Sequence, residues 1–294
     1  MIRSVSLIPY RDLFVHLRLH FQILLSPVYL WGWLLAGGSL GWDQCLGYIA
    51  LHVFLYGGAT AFNSYYDRDA GPVGGLLHPP PVSGYLLPFS LACKLIGFLI
   101  ACTISPGFAL AYIVFATLSV AYSHPSIRLK SSPWSSTTAI GLGQGLVVFL
   151  AGWLAERGDL SGVISIRGTI GAMTAIFIIL GLYPLTQIYQ IEEDTKRGDR
   201  TLAVAIGPAK CFIWAISLQT IGGSLLAYVL AKSYSGWYAG IALAGTALQA
   251  ILLTYWSRRF DERAIISNYK QVMRLSAVTG ISLTVYLLWL IAIH

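Results

Sequence analysis

The residues best suited to chemistry fall in three short segments. In the first, Thr60, Asn63 and Asp67 are spaced i, i+3 and i+7, which places them on one face of a helix. Asp69 would point away from Asp67 in a continuing helix. It joins the same site if the helix ends near Arg68, which the following Ala70-Gly71-Pro72 favours. In the second segment Tyr183, Gln187, Gln190 and Asp194 recur at i, i+4, i+7 and i+11, forming another stripe. Each segment therefore presents an amide followed by a carboxylate. Two facing acid clusters repel unless a cation neutralises them. Oxygen donors of this kind suit Mg²⁺, which takes one or two carboxylates, keeps waters and binds substrate phosphates. Glu192, Glu193 and Asp199 read equally well as solvated helix ends. The third segment runs Tyr122-Ser123-His124-Pro125-Ser126-Ile127-Arg128-Leu129-Lys130. Its Arg offers a forked donor to phosphate oxygens, its Lys a point charge, and Tyr122 and Ser123 add hydroxyls. His124, before a proline, reads as a turn residue rather than a base.

The elements that must carry these segments are membrane helices. The chain has 294 residues, of which 56% are hydrophobic and only 11% charged, against about 25% charged in soluble domains. Nine windows are long enough to cross about 30 Å of hydrocarbon: 19–38, 46–66, 85–104, 106–123, 137–155, 163–186, 211–231, 236–256 and 273–293. The expected fold is an all-α, polytopic bundle forming one domain over 1–294, with its site on the cytoplasmic side. Placing the N-terminus inside sorts the 19 basic residues. Only Arg157, Arg167 and Lys232 then fall in outside loops, and Lys94 lies within a span. The rest, from Arg3 and Arg11 to Lys270 and Arg274, are inside, which fixes N-in and C-out. The same asymmetry explains the net charge of +7 without nucleic acid. The long connections 67–84, 124–136, 187–210 and 257–272 are all on the inside, so the three segments share one membrane face.

Several features have plainer readings. Cys45, Cys93, Cys102 and Cys211 are scattered, which supports neither disulfides nor a metal site. The first 17 residues lack a signal-peptide pattern and read as an amphipathic stretch on the membrane surface. Lys94 is expected to snorkel its ammonium towards an interface. Gly141-Leu142-Gly143-Gln144-Gly145 reads as helix packing, not a nucleotide loop, because no strand precedes it. The abundant Trp and Tyr read mostly as interface anchors, with a minority free to line a cavity and stabilise a carbocation. The loop Gly71-Pro72-Val73-Gly74-Gly75-Leu76 could cover the site as a lid.

Over nearly its whole length the chain resembles the UbiA superfamily of intramembrane prenyltransferases. The likeness rests on Asn63-x-x-x-Asp67 closing the second span, on Tyr122-Ser-x-Pro-x-x-Arg128-Leu-Lys130 after the fourth, and on Asp194 through Arg200-Thr-Leu-Ala-Val after the sixth. It implies Mg²⁺ as cofactor, a polyprenyl diphosphate donor, a hydrophobic or aromatic acceptor, and a place in a bacterial or archaeal inner (plasma) membrane. Three departures stand out. Gly71 occupies the last acidic position of the first motif, where Asp69 could substitute. Gln190 occupies the first position of the second, where Glu193 could supply the charge. No basic residue precedes the prolines His78-Pro79-Pro80-Pro81. The resemblance assigns Asp67, Asp194, Asn63 and Lys130 to catalysis and Asn63, Asp67, Asp69, Gln190, Glu193 and Asp194 to the metal. It assigns Arg128, Lys130, Tyr122 and Ser123, with Arg68 and Arg18 behind them, to the diphosphate. The altered motifs also allow a membrane terpene cyclase working without an acceptor. A transporter, which would need helices broken near the midplane, is the non-enzymatic alternative.

Overall fold

A computed structural model describes residues 10–294. Arg3 and the rest of the first nine residues, half of the expected surface stretch, lie outside the described residues. The described chain is helical throughout, with one isolated bridge between Val73 and Leu76 in place of strands. Nine helical segments are long and apolar enough to span a membrane. They are α1 (Tyr10–Ala36), α2 (Trp42–Asp67), α3 (Leu86–Ile104), α4 (Pro106–Ser123), α5 (Pro133–Arg157), α6 (Ile166–Thr186), α7 (Leu202–Ser233), α8 (Gly236–Ser257) and α9 (Ile265–Ile293).

Helices α1 and α5 form the centre of the bundle and α8 its outer edge. Lipid gives apolar side chains no reason to leave it, so close packing must hold membrane helices together, and small residues permit it. At Gly32 a Cβ would collide with the Phe149 carbonyl, and at Gly152 one would collide with the Tyr29 carbonyl. The two glycines thus let α1 and α5 touch backbone to backbone. Around this seam Tyr29, Trp31, Trp33, Phe108, Tyr112 and Phe149 form the main apolar core.

Several spans depart from a straight α-helix, and the departures shape the interior. Helix α1 breaks at Arg18, which adopts left-handed φ 52°. Helices α2 and α5 each contain a π-helical segment, Ala50–Tyr56 and Gly141–Val147. The widened π turn, with one extra residue, re-aims side chains and is common at functional sites. Helix α6 tightens into a 3₁₀ turn at Tyr183–Thr186 and unwinds; the chain then restarts as a short helix, Ile191–Arg197. The expected stripe Tyr183, Gln187, Gln190, Asp194 is therefore not one helical face, because Pro184 removes an amide donor where the ladder would continue.

Lys94 also departs from expectation. It is 7% exposed, donates from Nζ to Ser119 Oγ at 3.0 Å, and stands 4.3 Å above the Phe62 ring. The ammonium is held between α2, α3 and α4 instead of reaching an interface.

Candidate active site

The site forms where α2, α4 and α6 end. Helix α2 stops at Asp67 because Arg68 turns left-handed at φ 49°, and the turn brings Asp69 back towards the acids. Asn63 Nδ2 donates to Asp67 Oδ2 at 2.7 Å and to Ser123 Oγ at 3.1 Å, tying α2 to the end of α4. Beyond α4 the chain turns through His124. That ring accepts from the Ser126 amide and meets Tyr66 edge-on, in keeping with a turn residue. Arg128, again left-handed at φ 46°, then leads into the turn that holds Lys130.

These turns produce a dense charge network. Lys130 Nζ donates to Asp67 Oδ2. Arg128 grips Asp199 with Nε and Nη2, both at 2.8 Å, and its Nη2 lies 3.5 Å from Asp67 Oδ1. This bidentate bond to Asp199 raises the Arg128 pKa above its ordinary value. From the far side of the cavity, Arg197 reaches Asp69 at 2.6 Å, Glu193 at 3.2 Å, Asp67 at 3.8 Å and Asp199 at 3.9 Å. Asp194 is 7% exposed and accepts from Thr201 Oγ1 at 3.2 Å. Burial pushes its pKa up to about 6.

The network opens into a cavity of about 310 Å³ that runs between the helices. Asn63, Asp67, Asp69, Lys130, Gln190, Asp194, Arg197 and Asp199 line one end; Leu24, Leu25, Val28, Phe115, Ile178 and Leu283 line the rest. Tyr122 and Ser123 also line it, and the Tyr122 and Tyr183 hydroxyls are 3.1 Å apart. Val73 and Gly74, from the loop after α2, close its side near the α1 break. There Arg18, 5% exposed, donates to Ser64 Oγ and to the Gly74 carbonyl.

Three expected residues sit apart from this lining, one of them Arg128, which reaches it through Asp67 and Asp199. Arg68 is exposed and supplies the backbone turn, with no ion pair to the acids among the described residues. Glu193 accepts from the Ala70 amide and from Arg197, bracing the short helix against the end of α2. Arg197, Asp199 and Thr201 are the reverse case, since their roles depend on the unwinding after α6. The sequence signal for them was the helix terminator Gly198, which takes φ 82°.

A divalent cation fits this donor set in one specific way. Asp67 Oδ1 is buried and accepts no hydrogen bond, with Arg128 and Arg197 held off at 3.5 and 3.8 Å, so its acceptor capacity is left for a cation. Among the described residues no three Asp, Glu, His or Cys side chains form a ready-made cage. Such a site suits a hard cation that takes one or two carboxylates and completes its shell with phosphate oxygens and water.

The model of the UbiA prenyltransferase family matches residues 24–278. The chain belongs to that family. Among solved structures, this UbiA protein is similar to a UbiA homologue from Archaeoglobus fulgidus bound to GPP and Mg²⁺. The two share 20% identity and a TM-score of 0.68 over 93% of this chain and 99% of that one. An apo UbiA homologue from Aeropyrum pernix K1 is similar at 19% identity and TM-score 0.67, over 91% and 97% of the two chains. A structure described for digeranylgeranylglyceryl phosphate synthase is similar at 17% identity and TM-score 0.62, over 95% and 99%. No curated protein sequence matches the chain. The UbiA fold here carries its second acidic segment on a turn and a short helix, and Arg197 occupies the space between the two acid groups.

Proposed function

We propose that this UbiA protein transfers a prenyl group from a polyprenyl diphosphate to a lipophilic acceptor, with the charged end of its cavity on the cytoplasmic side. One observation carries the reading: acids and cations from three chain segments converge at one end of an otherwise apolar cavity within a helical bundle. An apolar chain ending in a multiply charged anion has that shape and polarity. The excess of Lys and Arg in the connections on that side supports the orientation. The solved relatives described as holding GPP or DMAPP with Mg²⁺ support the ligand class.

Asp67 and Asp194 would hold Mg²⁺, with Asn63, Gln190 and Asp69 around them and Glu193 bracing the short helix. Bound Mg²⁺ supplies positive charge to the diphosphate oxygens as they become a leaving group. Lys130, Arg128 and Arg197 exchange carboxylate for phosphate oxygens, and their attraction grows as negative charge builds on the departing group. Tyr122 and Ser123 add hydroxyl donors. The allylic C–O bond breaks, the acceptor bonds to the released carbon, and the acceptor gives up a proton. The apolar walls keep bulk water from capturing the cation. Purified protein in detergent should release diphosphate and form a prenylated product from a labelled polyprenyl diphosphate plus membrane extract. Asp67→Ala and Asp194→Ala should each abolish it, and undiminished turnover in both variants rejects the assignment.

The aromatic lining by Phe115, Tyr122, Tyr183 and Tyr189 favours a second reading, cyclisation of the donor without an acceptor. Incubation with farnesyl or geranylgeranyl diphosphate alone separates the two: a Mg²⁺-dependent terpene that vanishes in Asp67→Ala favours the cyclase.

A further inference from the structure

Among the polar groups of the cavity that the diphosphate chemistry does not use are Tyr56 and Gln144. Tyr56 lines the cavity and is 2% exposed, yet its hydroxyl has no hydrogen-bond partner among the described residues. Gln144 lines the same cavity and brings an amide donor and an amide acceptor. A buried phenol left unpaired is costly, and a ligand oxygen would relieve that cost.

The backbone places both residues at one depth. Tyr56 is the last residue of the π segment Ala50–Tyr56, and Gln144 is central in the π segment Gly141–Val147. Tyr56 lies eleven residues before Asp67 on α2, and Gln144 eleven residues after Pro133, where α5 begins. At about 1.5 Å per residue, each sits about 16 Å from the charged end. Phe115 of α4 links them: its ring meets that of Tyr56 edge-on at 4.9 Å, and a Cβ on Gly143 would come within 3.1 Å of it. Gly141 and Gly145 pack equally close to Leu180 and Ile176 of α6. The glycines of Gly141-Leu142-Gly143-Gln144-Gly145 therefore do serve packing, while the residue between them faces the cavity. Behind Tyr56, the His52 ring is 5.4 Å away and its Nε2 is also buried and unpaired.

From this geometry we infer that Tyr56 and Gln144 form a subsite for a hydroxyl or carbonyl group on the part of the lipophilic acceptor remote from its reacting carbon, and so determine which acceptor is taken. A hydrocarbon tail would leave both groups unpaired. A ring or chain bearing one oxygen can accept from Tyr56 or Gln144 and, if it is a hydroxyl, donate to the Gln144 carbonyl. The role as an acceptor site rests on the prenyl-transfer reading, but oxygen recognition can be measured without turnover.

The test compares 2-naphthol with naphthalene, which differ by one hydroxyl, by equilibrium binding to the full-length protein in detergent with no donor present. The wild type should prefer 2-naphthol by roughly tenfold, as one or two hydrogen bonds allow. Tyr56→Phe and Gln144→Met keep the side-chain volume; each should cut the preference to threefold or less without weakening naphthalene. Mg²⁺-dependent binding of geranyl S-thiolodiphosphate, measured in parallel, should be unchanged in both and shows that the variants are folded. A wild type without the preference, or a preference that survives both substitutions, overturns the subsite. If the thiolodiphosphate fails to bind the wild type while the preference holds, prenyl transfer is what falls, and the oxygen subsite stands.

Discussion

Asp194 offers a quantitative test of cation binding that needs no substrate. Its carboxyl is buried, receives one hydrogen bond from Thr201, and faces Arg197, Asp199 and Lys130, with burial dominating. The pKa rises from 3.8 to about 6. That gap corresponds to about 3 kcal/mol favouring the protonated form in the folded protein. Between pH 3.8 and 6 the folded state keeps a proton that the unfolded chain has released. Stability from this group is therefore highest below that window, falls across it, and stays low above it. A divalent cation that binds Asp194 takes the place of the proton. Its affinity should rise by up to about tenfold per pH unit below 6 and level off above, one proton being displaced per cation. The assay is the Mg²⁺ concentration giving half-maximal thermal stabilisation in detergent, measured from pH 5 to 7.5. Asp194→Asn should flatten the profile and raise stability of the metal-free protein at pH 7. A Mg²⁺ response that is flat from pH 5 to 7.5 in the wild type would refute the assignment of Asp194 as a ligand.

Three other perturbations follow from the packing. Gly152→Ala drives a methyl group into the Tyr29 carbonyl at the α1–α5 seam, so it should destabilise by about 1–3 kcal/mol or more; the readout is thermal aggregation in detergent against a Gly240→Ala control, whose Cβ meets open space. Arg68→Gly removes an exposed side chain from a left-handed position that costs a non-glycine residue about 1–2 kcal/mol; the melting midpoint should rise or hold, with diphosphate release unchanged. Lys94→Met replaces a buried ammonium with an apolar chain of similar length; thermal stability should hold or improve, while Lys94→Asp should lose folded protein on size-exclusion chromatography.

Much of this molecule can be read from its residues, because the bilayer imposes a simple rule. A span must be apolar for about 20 residues, so all nine helices end within a few positions of their hydropathy windows and six also begin there. Helices α1, α7 and α9 begin earlier, at Tyr10, Leu202 and Ile265, where polar or helix-breaking residues such as Arg11, Asp12 and Arg18, Pro208 and Lys210, and Asn268 and Lys270 mask the signal. The Asn63-Asp67 turn was also legible, since Ala70-Gly71-Pro72 favours a helix end just before it. What escaped were features that depend on tertiary partners. Pro184 was a local sign that α6 would unwind, but nothing local announces that α2 and α5 absorb π turns. Arg197 looks like one more positive-inside residue until the short helix sets it among four carboxylates. Lys94 looks like a snorkelling lysine until Phe62 and Ser119 close around it.

The ion-pair network around Asp67 has one more implication. Arg128, Lys130 and Arg197 already neutralise most of the charge on Asp67, Asp69 and Asp199, so the resting protein holds little uncompensated charge at the membrane edge. A lone anion would strip the acids of their bases, and a lone metal would strip the bases of their acids. On the prenyl-transfer reading, either guest by itself would bind more weakly than a guest that arrives as its own salt and trades partners with both sides at once. The pocket would then favour a complexed ligand over its separate ions before any bond is made or broken.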